Sequence, residues 1–501
     1  MSKLPILAPS DTWFTQGGTS VKRASITEIH IKDSYQPSGS VTASWDASAD
    51  KDGSVMAYVE GTKLTIAGNG SGKVYANPNS SWAFSDSADK DNYSKLTKFT
   101  GGNLLDTSKA TTMERMFQLS SALTTIDTSN WDTSNVESMY CMFQKCSALA
   151  ALDVSNWDTG SVNTMAGMFN MTSDYANTSL TSLDVSKWNT GNVTNMMQMF
   201  NYCKSLESLN TVNWDVSKVT NMKNMFNNCA SLEQVNVSNW NVSMVTTMQA
   251  MFQLCESLTT IGDTTNWNPN ACTNMSYMFY NCTSLEELNT INWNVSMVTT
   301  MQGMFYRCES LTSLNLTNWD VSNVANMSSM FSQMNSLEKV TLGSKFNFNG
   351  DGSTSAVLPT PSSAYIPNAD GKWYTADGRS YAPAKIPNKT ADTYYASKEL
   401  AEATVTYDIC YQTAHGTAPK NKEVTVHASE SYLLTDEDLP VLSVAGYIFG
   451  GWSVNGVVIS AGYEISANTT LIAVWVEDLP VSKIDPVSML MGYMFGQAIR
   501  K

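Results

Sequence analysis

The sequence predicts a repeat solenoid of about nine units of 26 residues, each a short strand plus a short helix, flanked by β-rich end modules. Three observations predict it. The motif M-x-x-M-F recurs with its second methionine at Met116, Met142, Met168, Met199, Met225, Met251, Met278, Met304 and Met330, almost always 26 residues apart. A tryptophan holds a second fixed phase, at Trp131, Trp157, Trp188, Trp214, Trp240, Trp267, Trp293 and Trp319. Six cysteines hold a third: Cys146, Cys203, Cys229, Cys255, Cys282 and Cys308. A period of 20–50 residues marks units that bury their apolar faces only by stacking on one another.

One unit, Leu180 to Cys203, shows how each element is read. Leu180, Leu183 and Val185 alternate as a strand with one face inward. Trp188 closes the strand, and Asn189 supplies a turn or N-cap oxygen. Val193, Met196, Met199, Phe200 and Cys203 follow at steps of three and four, which fits a short helix or 3₁₀ segment. In-phase Met, Trp and Cys read as core ladders, with free buried thiols rather than disulfides. Two units depart from the pattern. The third carries a five-residue insertion around Thr172–Thr178, and the Trp267 unit carries Asn268-Pro269-Asn270.

This unit, with Leu, Trp, Val, Met-x-x-Met-Phe and Cys in phase over about residues 104–346, resembles the BspA-like leucine-rich repeats of bacterial and protist surface proteins. The resemblance implies a right-handed solenoid with parallel strands and a role in adhesion, without naming a ligand. Farther on, T-V-T-Y-D-I-C-Y, Gly446–Trp452 and Thr469–Trp475 resemble an internalin-type B repeat over about residues 403–477. That resemblance implies a small β-rich stalk or adhesive module, with Gly446, Phe449, Trp452, Leu471 and Trp475 as its core.

The chain therefore divides into a docking or extension segment (1–35), a β-rich cap (36–103), the solenoid (104–346), a C-terminal cap and linker (347–402), the β module (403–477) and an apolar tail (478–501). No apolar run is long enough to span a bilayer, and no secretory or anchoring pattern is visible, so membrane insertion is not expected. The tail, with Met489, Met491, Tyr493, Met494 and Phe495, resembles short C-terminal tails of phage structural proteins and reads as a candidate docking element.

The net charge of −15 disfavours nucleic acid, which needs clustered cations. The three histidines, His30, His415 and His427, lie outside the repeats and beside no nucleophile motif. No phosphate-cradling, zincin or zinc-ribbon pattern occurs, so no catalytic, cofactor or metal residue is assigned. The candidate ligand face is the polar side of the strands: Asp184, Glu207, Asn210, Glu233, Asn236, Glu286, Asn289 and Asn315. A merely solvated face and a carbohydrate or protein recognition surface both remain open there. The expected function is non-catalytic adhesion by a phage or prophage virion protein (fibre, tail-tip or head decoration). It would bind host surface or mucus glycans or proteins and contact neighbouring virion subunits through its terminal segments. Such parts are often symmetric homo-oligomers. The alternative settings are a bacterial cell-surface adhesin or, in another class, a glycan-active hydrolase.

Overall fold

The computed structural model describes residues 3–15, 20–350, 356–398, 400–408, 422–427, 432–442, 447–454, 457–465 and 469–477. They fall into two compact units, one made of residues 1–366, 371–373 and 380–396, the other of 367–370, 374–379 and 397–501. The first unit is a β-rich stack of tandem repeats with almost no helix.

Two parallel ladders hold successive repeats together. One comprises single bridges running Asn79, Thr112, Ser138, Thr164, Asn195, Asn221, Thr247, Asn274, Thr300, Asn326. The other comprises the expected strands, which are mostly only two residues long: Ser208–Leu209 pairs with Gln234–Val235. It lengthens at the end, where Ser313–Leu316 pairs with Lys339–Leu342.

The expected helix is absent. The M-x-x-M-F segment is instead a run of tight turns. The amide of Met116 bonds back to the Met113 carbonyl, and those of Gln118 and Ser120 to Arg115 and Phe117. The alternate amides of Met113, Arg115, Phe117 and Leu119 donate to Ser138, Tyr140, Met142 and Gln144 in the next repeat. Every second amide thus ties one rung to the next. The cost is backbone strain: Arg115, Cys141, Gln198, Asn224, Ala250, Tyr277 and Ser329, all at one phase, have positive φ, as have Gly167 and Gly303. Left-handed backbone costs an L-residue roughly 1–2 kcal/mol, which glycine avoids. Replacing Ala250 by glycine is therefore expected to raise stability by about 0.5–1 kcal/mol after the entropy cost of glycine. Chemical denaturation of the variant checks this.

The core is a set of ladders. Phe117, Phe143, Phe169, Phe200, Phe226, Phe252, Phe279, Phe305 and Phe331 stack at centroid spacings of 5.4–6.2 Å. Tryptophans stack in two runs, Trp131 to Trp240 and Trp267 to Trp319. The paired methionines are fully buried. Each such side chain contributes roughly 1.5–3 kcal/mol on leaving water, realised only when a neighbour covers it. Between ladders, buried Thr133, Thr190, Thr211 and Thr290 donate hydroxyls to the carbonyls of Asp158, Asp215, Asn236 and Asn315 one rung on. That satisfies groups that would otherwise be orphaned.

All eight described cysteines are free and buried. The in-phase thiols point at the preceding rung, Cys229 to the Phe200 carbonyl and Cys255 to that of Phe226. Burial pushes Cys146, Cys203 and Cys255 up to about 12. Because the thiolate is the reactive form, these cysteines should resist iodoacetamide at pH 8 in the native chain and react once it is unfolded. Mass spectrometry of native and denatured samples checks this; rapid native labelling would show an open core.

The stack extends beyond the nine motifs. Ser80, Trp82 and Phe84 donate amides to Thr112, Glu114 and Met116, repeating the rung pattern, and Phe84 stacks on Phe117 at 5.2 Å. Residues 1–35, expected as a separate docking segment, supply the strand Glu28–Lys32, which pairs in parallel with both Lys63–Ala67 and Lys98–Thr100. Buried Trp13 and Phe14 explain why this segment packs rather than extends. At the other end, Asp392–Tyr395 runs antiparallel to Lys339–Leu342 and closes the last rung.

In the second unit, Leu400–Asp408 pairs with Lys422–His427 and with Thr469–Glu477, which pairs in turn with Tyr447–Val454. Its core holds Val405, Tyr407, Leu434, Trp452, Ile465, Leu471 and Ala473, with Phe449 packed against it. Gly446 and the tail residues Met489, Met491, Tyr493, Met494 and Phe495 lie outside the described residues, as does the side chain of Trp475.

Candidate functional site: a break in the strand ladder

The polar side of the strands is built from recurring Asx turns. The Asp184 carboxylate accepts the Ser186 amide and hydroxyl, and Asn236 accepts the Ser238 amide. Asn210, Asn289 and Asn315 accept the amides of Val212, Ile291 and Thr317. Five of the eight candidate ligand residues thus turn the chain after each strand, a task that explains the Asp/Asn residue type on local grounds. The Ser186 hydroxyl and amide hold the Asp184 carboxyl below the usual carboxylate range. Glu207, Glu233 and Glu286 are exposed at the start of their strand segments.

Asp184, Asn210 and Asn236 occupy one column, each two residues after the paired positions Ser182, Ser208 and Gln234. The next pairing is Gln234 with Thr260, which puts Gly262 where an Asx residue belongs. Gly262 is an extra residue and has φ of 82°. A Cβ there would lie 2.7 Å from Ser238 Oγ, and the left-handed backbone adds strain for any other residue, so glycine suits the position. Asp263 then takes over the Asx turn, accepting the Thr265 amide and hydroxyl at 2.9 Å each. This one-residue excess, not Asn268-Pro269-Asn270, produces the irregular repeat. Pro269 stays in phase, its carbonyl accepting the Cys272 amide as Val242 accepts that of Val245.

The insertion acts as a bulge, and bulges interrupt pairing and re-aim side chains. No strand is formed at Glu287–Leu288, and Leu288 is half-buried where its counterparts Val235 and Leu314 are buried. The break is also where the tryptophan ladder divides, between Trp240 and Trp267. A depression of about 500 Å³ lies there, lined by Gly262, Asp263, Glu287, Leu288, Asn289, Ile291, Ser313 and Asn315. It joins two carboxylates and two amides to an apolar floor of Leu288 and Ile291. The depression is open, and most of its lining residues are polar. Of the sequence candidates, the structure gathers Asn289 and Asn315 here; Asp184, Glu207, Asn210, Glu233 and Asn236 stand on earlier rungs. Glu286 precedes the lining residue Glu287. Asp263, Glu287 and Gly262 were not singled out by sequence, although the 27-residue step between Met251 and Met278 marks the place. Among the described residues, no group of three or more His, Cys, Asp or Glu could hold a metal ion.

A family model described as Mycoplasma protein of unknown function, DUF285, matches residues 81–187, 170–287 and 256–357, together more than half of the chain. The chain belongs to this family. The first DUF285 match begins within the rung at Ser80–Phe84, ahead of the first M-x-x-M-F motif. Comparison with curated proteins and with solved structures finds no match.

Proposed function

We propose that this DUF285 chain is a non-catalytic recognition protein whose stacked rungs form a solenoid scaffold for surface binding. The observation that carries this reading is the contrast between core and surface. Core ladders repeat almost without change, while the one-residue bulge at Gly262 opens a polar depression without disturbing the buried phenylalanine ladder from Phe252 to Phe279. A scaffold that tolerates such local departures can carry specificity on its outer face. Its ligand is a host-surface or mucus glycan or protein.

The setting we favour is a phage or prophage virion, with the C-terminal tail docking on a neighbouring subunit. The resemblance of the repeats to surface-protein modules supports an outward-facing part of a particle. A bacterial cell-surface adhesin is the second setting, favoured by a family named for a bacterial genus.

Purified full-length chain incubated with intact host cells should bind saturably and leave extracted surface polymer undegraded. Polymer turnover that disappears in an Asp263→Asn, Glu287→Gln chain would instead make it a hydrolase. Peptide mass spectrometry of induced phage particles beside washed envelopes separates the two settings.

A further inference from the structure

The column that follows the ladder phenylalanine does a defined job in the early rungs. Gln118 Nε2 donates to Gln144 Oε1 at 2.6 Å, Asn201 Nδ2 to Asn170 Oδ1 at 2.8 Å, and Asn227 Nδ2 to Asn201 Oδ1 at 2.7 Å. These amides link neighbouring rungs, although Gln118 Oε1 and Asn227 Oδ1 are left buried without a partner. In two later rungs the same column carries Tyr280 and Tyr306, which cannot continue the linkage. They stack on each other at 4.6 Å with an interplanar angle of 9°. Tyr277 meets Tyr280 edge-on at 5.7 Å. The next rung offers only Ser332 in this column, so no aromatic side chain covers the far face of Tyr306.

Tyr277 shares the left-handed backbone of its column, with φ of 60°. Its neighbour in that column is Gly303, where an added Cβ would lie 3.0 Å from the Tyr277 ring. The glycine makes the room in which this ring lies. All three tyrosines are half-buried. Arg307 Nε donates to Glu309 Oε1 at 3.0 Å, so this cation is already paired, while the Glu256 carboxylate accepts the neutral Asn281 Nδ2 at 3.0 Å. No uncommitted cation is present among these groups to attract an anionic ligand.

We infer that Tyr277, Tyr280 and Tyr306 form a stacking platform for a neutral saccharide. Aromatic rings with polar tips offer an apolar face to the C–H side of a sugar ring and hydroxyls to its edge. Arg307 is committed to Glu309 and the Glu256 carboxylate adds negative charge nearby, so a sialylated or sulfated sugar has nothing to gain. This site is distinct from the Gly262 depression and goes beyond the general recognition reading.

The test uses full-length chain on a printed array of neutral, sialylated and sulfated oligosaccharides, followed by calorimetry with the best-bound sugar. Tyr277→Asn and Tyr306→Asn adopt residues that other rungs already carry at these positions, so the fold is retained, as an unchanged unfolding midpoint would verify. Each should weaken binding at least about tenfold, which is 1.4 kcal/mol. Tyr202→Asn, also at a left-handed position but away from the platform, should bind as the parent does. Binding confined to acidic sugars, no binding on the array, or undiminished affinity in both platform variants would overturn the inference. Cell binding that persists in chains failing the array test would leave the general recognition reading standing.

Discussion

Replacing Phe226 by alanine is expected to lower the unfolding free energy by about 3–5 kcal/mol. Phe226 is fully buried and stacks on Phe200 at 5.6 Å and on Phe252 at 5.4 Å. Truncation removes contacts on both faces, and the rungs cannot close the gap, because their spacing is fixed by backbone bonds such as Phe226 N to Met251 O. Met225→Ala should cost about 2–5 kcal/mol for the same reason, and the pair should not add, since the two residues share one cavity. Denaturant unfolding measures both. A midpoint unchanged in either variant would mean the ladders are not the core.

Gly343→Ala is expected to be comparably severe by a different route. A Cβ on Gly343 would sit 1.7 Å from the Thr317 carbonyl oxygen, backbone against backbone. No rotamer relieves that contact, so the last rung must separate from its neighbour where Ser313–Leu316 meets Lys339–Leu342. A loss on the order of 3 kcal/mol is expected. Gly39→Ala, whose new methyl would meet only the flexible end of Glu60, serves as the control. Equal stability of the two variants would refute the close approach of these rungs.

The period, the buried Met, Phe, Trp and Cys phases and the free thiols were legible in the sequence, because a stack forces the same burial at the same phase. The turn run was misread as a helix because steps of three and four also arise from consecutive turns. The corrective signal was present. Gly167, Gly303 and Asn224 recur in the middle of the supposed helix, at the phase that demands positive φ. The rung at Ser80–Phe84 was missed because Ser80 and Ala83 replace both methionines. The Gly262 bulge was missed because proline draws attention, yet Pro269 merely fills a valine's place. The Asx role of Asp184 and Asn236 was hidden in a repeated D/N-x-S that reads, without geometry, as a polar face, and Asn210, followed by Thr211 and Val212, lacks even that pattern.

If the chain binds through departures from its own repeat, as proposed, deletion of Gly262 is the sharpest experiment. Removing this one residue restores the regular spacing and should close the depression while leaving every ladder residue in phase. Saturation binding to intact host cells would be measured for parent and deleted chains with matched thermal unfolding. The account expects at least about a tenfold loss of affinity in the deleted chain. Undiminished binding by a deleted chain that unfolds like the parent would contradict it.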